Sequence, residues 1–476
     1  MRRATEALLA AVVSLAACRQ PPSSQGKAGA GTRPLSAGNR WNVLLVTIDT
    51  LRADHLGTYG YRRATSPRID ALARRGVVFT EAYTYWPKTR GSFVALLTGR
   101  LASQTGYGKT HPLLLDFNPT LASVLKDAGY ETVAAVDNPN VAASLGYARG
   151  FLRYRETWEE KALPTEMDRA RAVTADGVRT LGQARPERPF FLWLHYVNPH
   201  APYEPPPPWD TAFLDAEAAR GPGLKPVEGF HGGVPKAWAK PGKSLGFYVA
   251  QYDGEIAAAD AEVGRVMDAL AASAVAERTL VLLASDHGES LGEHGYYFDH
   301  GENLFDPSLR IPLVVAGPGI PAGRRTDVLA TTLDIVPTVL DALKVSYPPD
   351  LAGESLLPAI RGERRPDRPR LQGQNDRNLL AAWDRRFKVV ATPSEAGSRY
   401  ALYDRERDPG ETVDAARASP ERMREERREL ELFRERIDGL MVKTRRLLEG
   451  QRGEERLSPE ACEKLKAMGY VQQGCS

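Results

Sequence analysis

Aspartate, histidine and threonine recur in this chain at the ends of apolar runs, and these residue types suit a divalent cation held by oxygen and nitrogen ligands. Asp49 follows the run 42–48, His195 and His200 follow 190–194, and Asp286 and His287 follow 280–284. Five of the eight histidines fall in two short windows, 195–200 and 287–300, the second of which also holds His294 and His300. Histidines that serve only packing have no reason to gather in this way. A cation so held polarises an ester oxygen and lowers the pKa of a coordinated hydroxyl. Thr89 offers such a hydroxyl. It lies near the start of a segment, 87–99, that begins with hydroxyls and cations, turns apolar and closes at Thr98 and Gly99. That is the shape of a helix start, where free backbone N–H groups and the dipole favour an anion. It is equally the shape of an ordinary capped helix. In the chemical reading Thr89 attacks a phosphorus or sulfur centre, and histidines protonate the leaving group.

The runs that carry these residues read as strands. Residues 42–48 form a β-rich apolar run, as a strand covered on both faces does. A carboxylate at its C-terminal end stands where open α/β sheets place ligands. Further strands are expected at 77–79, 132–136 and 313–315. Helices are expected from Ser66 to Gly76, from the 87–99 segment, at 120–128, at 163–182 with Pro164 in the first position, at 248–272 and at 334–343. This alternation predicts an α/β domain with a doubly wound mixed sheet flanked by helices. Residues 201–243, rich in Pro and Gly, read as a surface loop. Short strands at 379–383, 387–391 and 400–403 predict a small antiparallel C-terminal α+β subdomain. Residues 420–449 read as a highly charged helix with solvated faces.

The 476 residues carry 63 basic and 60 acidic side chains, a net charge of +3, so nothing argues for nucleic acid as a partner. Arg2 and Arg3 precede an apolar stretch, Leu8 to Ala17, that is too short to span a bilayer. It ends Leu15-Ala16-Ala17-Cys18, which resembles the bacterial lipobox, so 1–18 is expected to be a lipoprotein signal peptide and Cys18 the lipidated residue. An ordinary secretory signal is the alternative. Residues 19–40 then form a flexible linker. Arg19, rather than Asp, follows Cys18, which points to the cell envelope, with the chain anchored through its lipid in the outer membrane and facing the periplasm or exterior. Cys462 and Cys475 either pair or stay free.

Several blocks in order carry a resemblance. Asp49-Thr50-Leu51-Arg52-Ala53-Asp54, Gly57 to Tyr61 and Ser66 to Ala73 resemble the N-terminal block of the sulfatase family, within the alkaline phosphatase superfamily. Asn198 to Tyr203, Ser285 to Glu289, Leu309 to Pro312, Asp334 to Thr338 and Leu402 to Glu411 resemble later blocks. The resemblance implies an alkaline phosphatase-like fold, with 41–345 as the catalytic domain, 346–412 as the C-terminal subdomain and 413–476 as a charged helical tail. It implies Asp49, Asp286 and His287 as metal ligands, for Ca, Zn or Mn. His200 and His300 are implied as catalytic histidines. Asn138 and His195 are expected as substrate contacts, with Arg90 or Lys88 as charge partners in place of the family's arginine, though the motif positions neither. The substrate is a small ester or a glycan or lipid headgroup.

Departures from the family pattern sharpen the reading. The family's nucleophile segment is Cys-x-Pro-x-Arg, or its Ser version, whose first residue is oxidised to formylglycine. Here Thr89 stands at that position, Gly91 at the proline and Phe93 at the arginine. Threonine carries a β-methyl and yields no formylglycine aldehyde, so none is expected. Ser92 is displaced by nearly a helical turn. Thr50 replaces a second aspartate, and Asn138-Pro139-Asn140 replaces a Lys-x-His pair. The expected function is a metal-dependent hydrolase of phosphate, phosphonate or sulfate esters with Thr89 as nucleophile, extending to phosphoryl-group transfer. Two alternatives stand beside it: a sulfate ester hydrolase without formylglycine, and a non-catalytic protein that keeps the fold and the metal.

Overall fold

Strand β1 (Asn42–Ile48) is buried along its whole length and sits near the middle of an eight-stranded sheet. The computed structural model describes residues 40–108, 112–216, 218–348, 350–363 and 368–450. The expected signal peptide with Cys18, the linker up to residue 39, His111, Cys462 and Cys475 lie outside these residues. The other strands are β2 (Gly76–Phe79), β3 (Glu131–Val136), β4 (Arg153–Glu156), β5 (Phe190–Tyr196), β6 (Thr279–Ser285), β7 (Leu313–Ala316) and β8 (Arg324–Thr326). Their order across the sheet is β8-β2-β7-β6-β1-β5-β3-β4. Only β7 runs antiparallel to its neighbours, β2 and β6, so the sheet is mixed, as expected.

Register determines where the chemistry lies. Ile48 pairs with Tyr196 on one side and Ser285 on the other, while His195 pairs with Thr47 and with Val136. Asp49, Val197, Asp286 and Asp137 therefore leave the sheet together at the C-terminal edge of its parallel strands.

Alternation along β1 builds two cores. Val43 and Leu45 join a cluster containing Phe93 to Leu97 of helix α2 (Thr89–Thr98) and Val336 and Val339 of helix α6 (Ile335–Ala342). Leu44 and Val46 join a cluster on the opposite face with Ile69 of helix α1 (Pro67–Arg74), Val173 of helix α4 (Glu166–Gln183), and Tyr252, Ile256 and Val263 of helix α5 (Leu245–Ala272). A helix α3 (Leu121–Asp127), capped by Thr120, leads into β3. The expected and observed starts differ at α4. Thr165, not Pro164, sets its beginning, because the Thr165 hydroxyl accepts the Asp168 N–H and Asp168 answers with its side chain. The stretch 201–243 is not featureless. It holds a short helix, Trp209–Ala212, and a small strand pair, Pro226–Val227 with Val234–Pro235.

The C-terminal strands β9 (Leu371–Gln374), β10 (Leu380–Trp383), β11 (Phe387–Ser394) and β12 (Gly397–Asp404) form an antiparallel sheet in that order. Strand β9 escaped the sequence because four residues with two glutamines carry no hydrophobic run. Helix α7 (Pro420–Gly450) has more than solvated faces. Leu430 and Phe433 are buried and share the α2 core with Leu380, Ala382, Val389 and Leu402. Truncating Phe433 leaves a cavity there, so Phe433→Ala is expected to cost about 3–5 kcal/mol, measurable by urea unfolding. Among the described residues no helix is long and apolar enough to cross a membrane.

Candidate active site

Three side chains converge at the sheet edge. Asp49 extends β1 by one residue, its N–H donating to the Tyr196 carbonyl at 2.9 Å. Asp286 follows β6, and its Oδ1 accepts the His287 N–H at 2.9 Å and the Thr50 N–H at 3.4 Å. Thr50 delivers that N–H from a left-handed backbone, φ 53°, which is strained for a β-branched residue. Asp49, Asp286 and His287 are all fully buried, and one ligand atom from each lies within 4.8 Å of the others. Asp49 Oδ1 and Asp286 Oδ2 accept no hydrogen bond. His287 Nε2 lies 3.6 Å from the first and 3.2 Å from the second. The Nδ1–H of His287 donates to the Gly288 carbonyl at 3.0 Å, so Nε2 presents a lone pair to the same point.

Three electron-rich atoms facing one another in a buried place are costly unless a cation joins them. Burial, together with the neighbouring Asp49, pushes the Asp286 carboxyl well above its ordinary value, and burial and His300 hold His287 neutral. The donor set of two carboxylates and one imidazole thus fits a divalent metal.

Thr89 is the first residue of α2 and is buried beside this group, with Oγ1 3.2 Å from His287 Nε2. The rest of the segment explains its own departures. The Ser92 hydroxyl, one turn on, donates to the Asp286 carbonyl at 2.6 Å and accepts from Thr84 at 3.1 Å, so it pins the Asp286 loop from behind. Gly91 is needed because a Cβ there would collide with the Trp86 indole. Phe93 points into the core and lies edge-on to His195 with ring centroids 4.7 Å apart.

The expected substrate contacts divide. Asn138 is at the site, its amide donating to Asp49 Oδ2, while its own oxygen takes the Asn140 N–H at 2.8 Å. Asn140 in turn accepts from Arg90 Nε at 3.1 Å, which links Arg90 to Asp49 through two asparagines. Lys88 has a half-exposed side chain 3.9 Å from the Asp376 carboxylate. His195, expected among the substrate contacts, is instead fully buried behind Asp49, because its ring packs between Phe93 and Trp193. Its Nδ1 meets the Thr47 hydroxyl at 3.0 Å, and its Nε2 is 4.0 Å from Asp49 Oδ2.

Burial lowers the His195 pKa to about 4, which keeps the ring neutral. The fold holds that neutral form, so its contribution is intact above the ordinary pKa of 6.5 and is lost as pH falls toward about 4. The stability margin of wild type over a His195→Gln variant is expected to shrink by about 3 kcal/mol between pH 7 and 4 in urea melts.

His200, His300 and His287 form a row of rings, with centroids 5.2 Å apart for the first pair and 4.1 Å for the second. The His200 Nδ1–H donates to the Ala201 carbonyl at 2.6 Å, and His300 Nδ1 meets Glu289 Oε1 at 3.2 Å. Burial opposes protonation of His200, but Asp49 and Glu289 outweigh it and hold its pKa above the ordinary value. Glu289 was missed in the sequence. Its only signal is that it closes the block Ser285 to Glu289. Arg52 bonds Asp54, Glu293 at 2.6 Å and the Glu289 carbonyl at 3.1 Å, and so ties the loop after Asp49 to the loop after His287. The remaining histidines among the described residues stand apart: His55 bonds Asp253, His231 bonds Glu302, and His294 stacks on Phe305.

This arrangement can bind a cation, present a hydroxyl beside it and supply imidazoles across from it. Residues 41–345 match the family model described as Sulfatase, and 292–431 match that of the N-sulphoglucosamine sulphohydrolase C-terminal region. The chain is 27% identical over 421 residues to the Delta 4,5-hexuronate-2-O-sulfatase of Bacteroides thetaiotaomicron, covering 79% of this chain and 84% of that one. It is 27% identical over 399 residues to the multifunctional alkaline phosphatase superfamily protein PehA of Trinickia caryophylli, covering 67% and 77%. In structure it is similar to the phosphonate monoester hydrolase of Agrobacterium radiobacter, with a TM-score of 0.67 at 22% identity, over 85% of this chain and 96% of that one. The chain therefore belongs to the sulfatase family, whose named relatives include sulfuric ester hydrolases.

Proposed function

We propose that this protein hydrolyses a sulfate, phosphate or phosphonate ester with Thr89 as its nucleophile. Members of the family are metal-dependent, and Asp49, Asp286 and His287 would hold the ion. When bound, a divalent cation lowers the pKa of a nearby hydroxyl and neutralises charge that develops on the ester oxygens. The imidazole in the set favours Zn or Mn over Ca. The observation that carries the reading is the 3.2 Å separation between the Thr89 hydroxyl and His287 Nε2, which places the hydroxyl beside the metal group.

Each residue then has a task. Thr89 Oγ1 passes its proton to solvent water and bonds to the phosphorus or sulfur, and the bond to the leaving oxygen breaks. Protonated His200, or His300 beside it, gives that oxygen a proton. Water next cleaves the threonyl ester and restores the hydroxyl. An acceptor alcohol in place of water makes the same steps a group transfer. Arg90 and Asn138 hold the non-bridging oxygens, and the helix start of α2 favours their negative charge.

Relatives named for hexuronate and glucosamine sulfates, and one named multifunctional, support a small ester or glycan substrate. We further propose that Cys18 carries a lipid anchor in the cell envelope. Mass measurement of the mature N-terminal peptide tests this.

Function is tested by assaying the metal-loaded protein on nitrophenyl sulfate, a nitrophenyl phosphodiester and a nitrophenyl phosphonate. Turnover of at least one, lost on chelation, is expected. No turnover of any, with the metal bound, overturns the reading in favour of a metal-binding protein that keeps the fold.

A further inference from the structure

Glu255 is a buried carboxylate in the middle of α5 that the chemistry above does not use. Its two oxygens receive hydrogen bonds from the two ends of one loop. Asn198 Nδ2 donates to Oε2 at 2.6 Å, and the Glu204 N–H donates to Oε1 at 3.0 Å. Between them lie Pro199, His200, Ala201, Pro202 and Tyr203. The adjacent Gly254 lets the chain beyond Glu204 rest on the helix, since a Cβ there would lie 2.6 Å from the Trp209 carbonyl oxygen and 2.8 Å from Pro205. Tyr203 packs edge-on against Tyr252 of the same helix, with centroids 5.3 Å apart. Both ends and the far side of the His200 loop are therefore seated on one stretch of α5.

We infer that Glu255 is a positioning residue for ester cleavage, acting through His200 by closing the loop that holds this ring against His300. The inference rests on the reading of His200 as the group that serves the leaving oxygen. Two donors arrive at one buried point, and only a carboxylate accepts both through separate oxygens, because an amide offers a single acceptor. Burying this carboxylate is unfavourable, as its pKa of about 7 records. An apolar residue would pack in the helix at less cost, so the carboxylate serves the loop rather than the helix.

The test uses the full, metal-loaded chain as wild type, Glu255→Ala, Glu255→Gln and Asn198→Ala. Amide hydrogen exchange over residues 197–205 reports the loop without any substrate, and kinetics on the best nitrophenyl ester report the chemistry. In Glu255→Ala, exchange in this loop is expected to rise, and kcat to fall roughly a hundredfold with little change in KM. Glu255→Gln, which keeps one of the two hydrogen bonds, should lie between Ala and wild type. Asn198→Ala releases one end without touching the helix. It should match Gln and carries the test if Glu255→Ala does not fold. Unchanged loop exchange in Glu255→Ala, or kcat within about twofold of wild type, overturns the inference. A wild type inactive on every ester defeats the functional reading instead, while the exchange data still decide whether Glu255 holds the loop.

Discussion

Thr89→Ala is expected to lower kcat/KM on the order of 10⁴-fold or more, while Thr89→Ser keeps activity within roughly tenfold of wild type. The expectation follows from how few hydroxyls reach the site. The Thr89 hydroxyl lies 3.2 Å from His287 Nε2, whereas the Ser92 hydroxyl donates to the Asp286 carbonyl and accepts from Thr84. Ser92 sits behind the Asp286 loop and cannot replace Thr89 without releasing that carbonyl. Steady-state kinetics on the responsive nitrophenyl ester, with metal content measured on each variant, check the result. If Thr89→Ala keeps its metal and more than about a tenth of wild-type activity, another nucleophile operates and the assignment fails.

The second large effect concerns the metal group. Wild type is expected to gain about 3 kcal/mol of stability when a suitable divalent ion is present at a hundredfold excess over its Kd, read as a rise in melting midpoint that a chelator reverses. Asp286→Asn should lose most of this gain together with activity. It should also melt at or above wild type when both are metal-free. Asp49 and Asp286 face each other fully buried, and each keeps one oxygen without a hydrogen-bond donor. Replacing one carboxylate by an amide removes like-charge repulsion and leaves a neutral group at similar volume. A metal-free Asp286→Asn protein markedly less stable than metal-free wild type would show that the pair is held by contacts other than a cation. Comparing Zn, Mn and Ca in the same melts ranks the ions without relying on turnover.

These two predictions draw on different kinds of information. Asp49, Asp286 and His287 were legible in the sequence as polar residues at the ends of the apolar runs 42–48 and 280–284. Neighbouring parallel strands bring their C-terminal ends to one edge, so polar residues at those ends meet whatever the details. The doubly wound order was legible for the same reason, since runs such as 42–48 and 279–285 announce buried strands without help from distant residues. Helix ends were less so. Pro164 and Thr165 both carry start signals, and reciprocal bonding with Asp168 decided between them.

What remained hidden depends on contacts far apart in the chain. Phe93 reads as a lost active-site arginine, yet it packs on His195 about a hundred residues away. Gly91 reads as a lost proline, yet the Trp86 indole fills the space a side chain would need. Glu289 and Glu255 read as ordinary acidic residues on a loop and a helix, and only folding brings one to His300 and the other to both ends of the His200 loop. The sequence by itself thus determined the family, through the order of its motif blocks, and the sheet, through local runs of apolar residues. The tertiary structure alone decided which histidines share a row and which carboxylates hold them. Each of those depends on packing between segments that no local pattern relates.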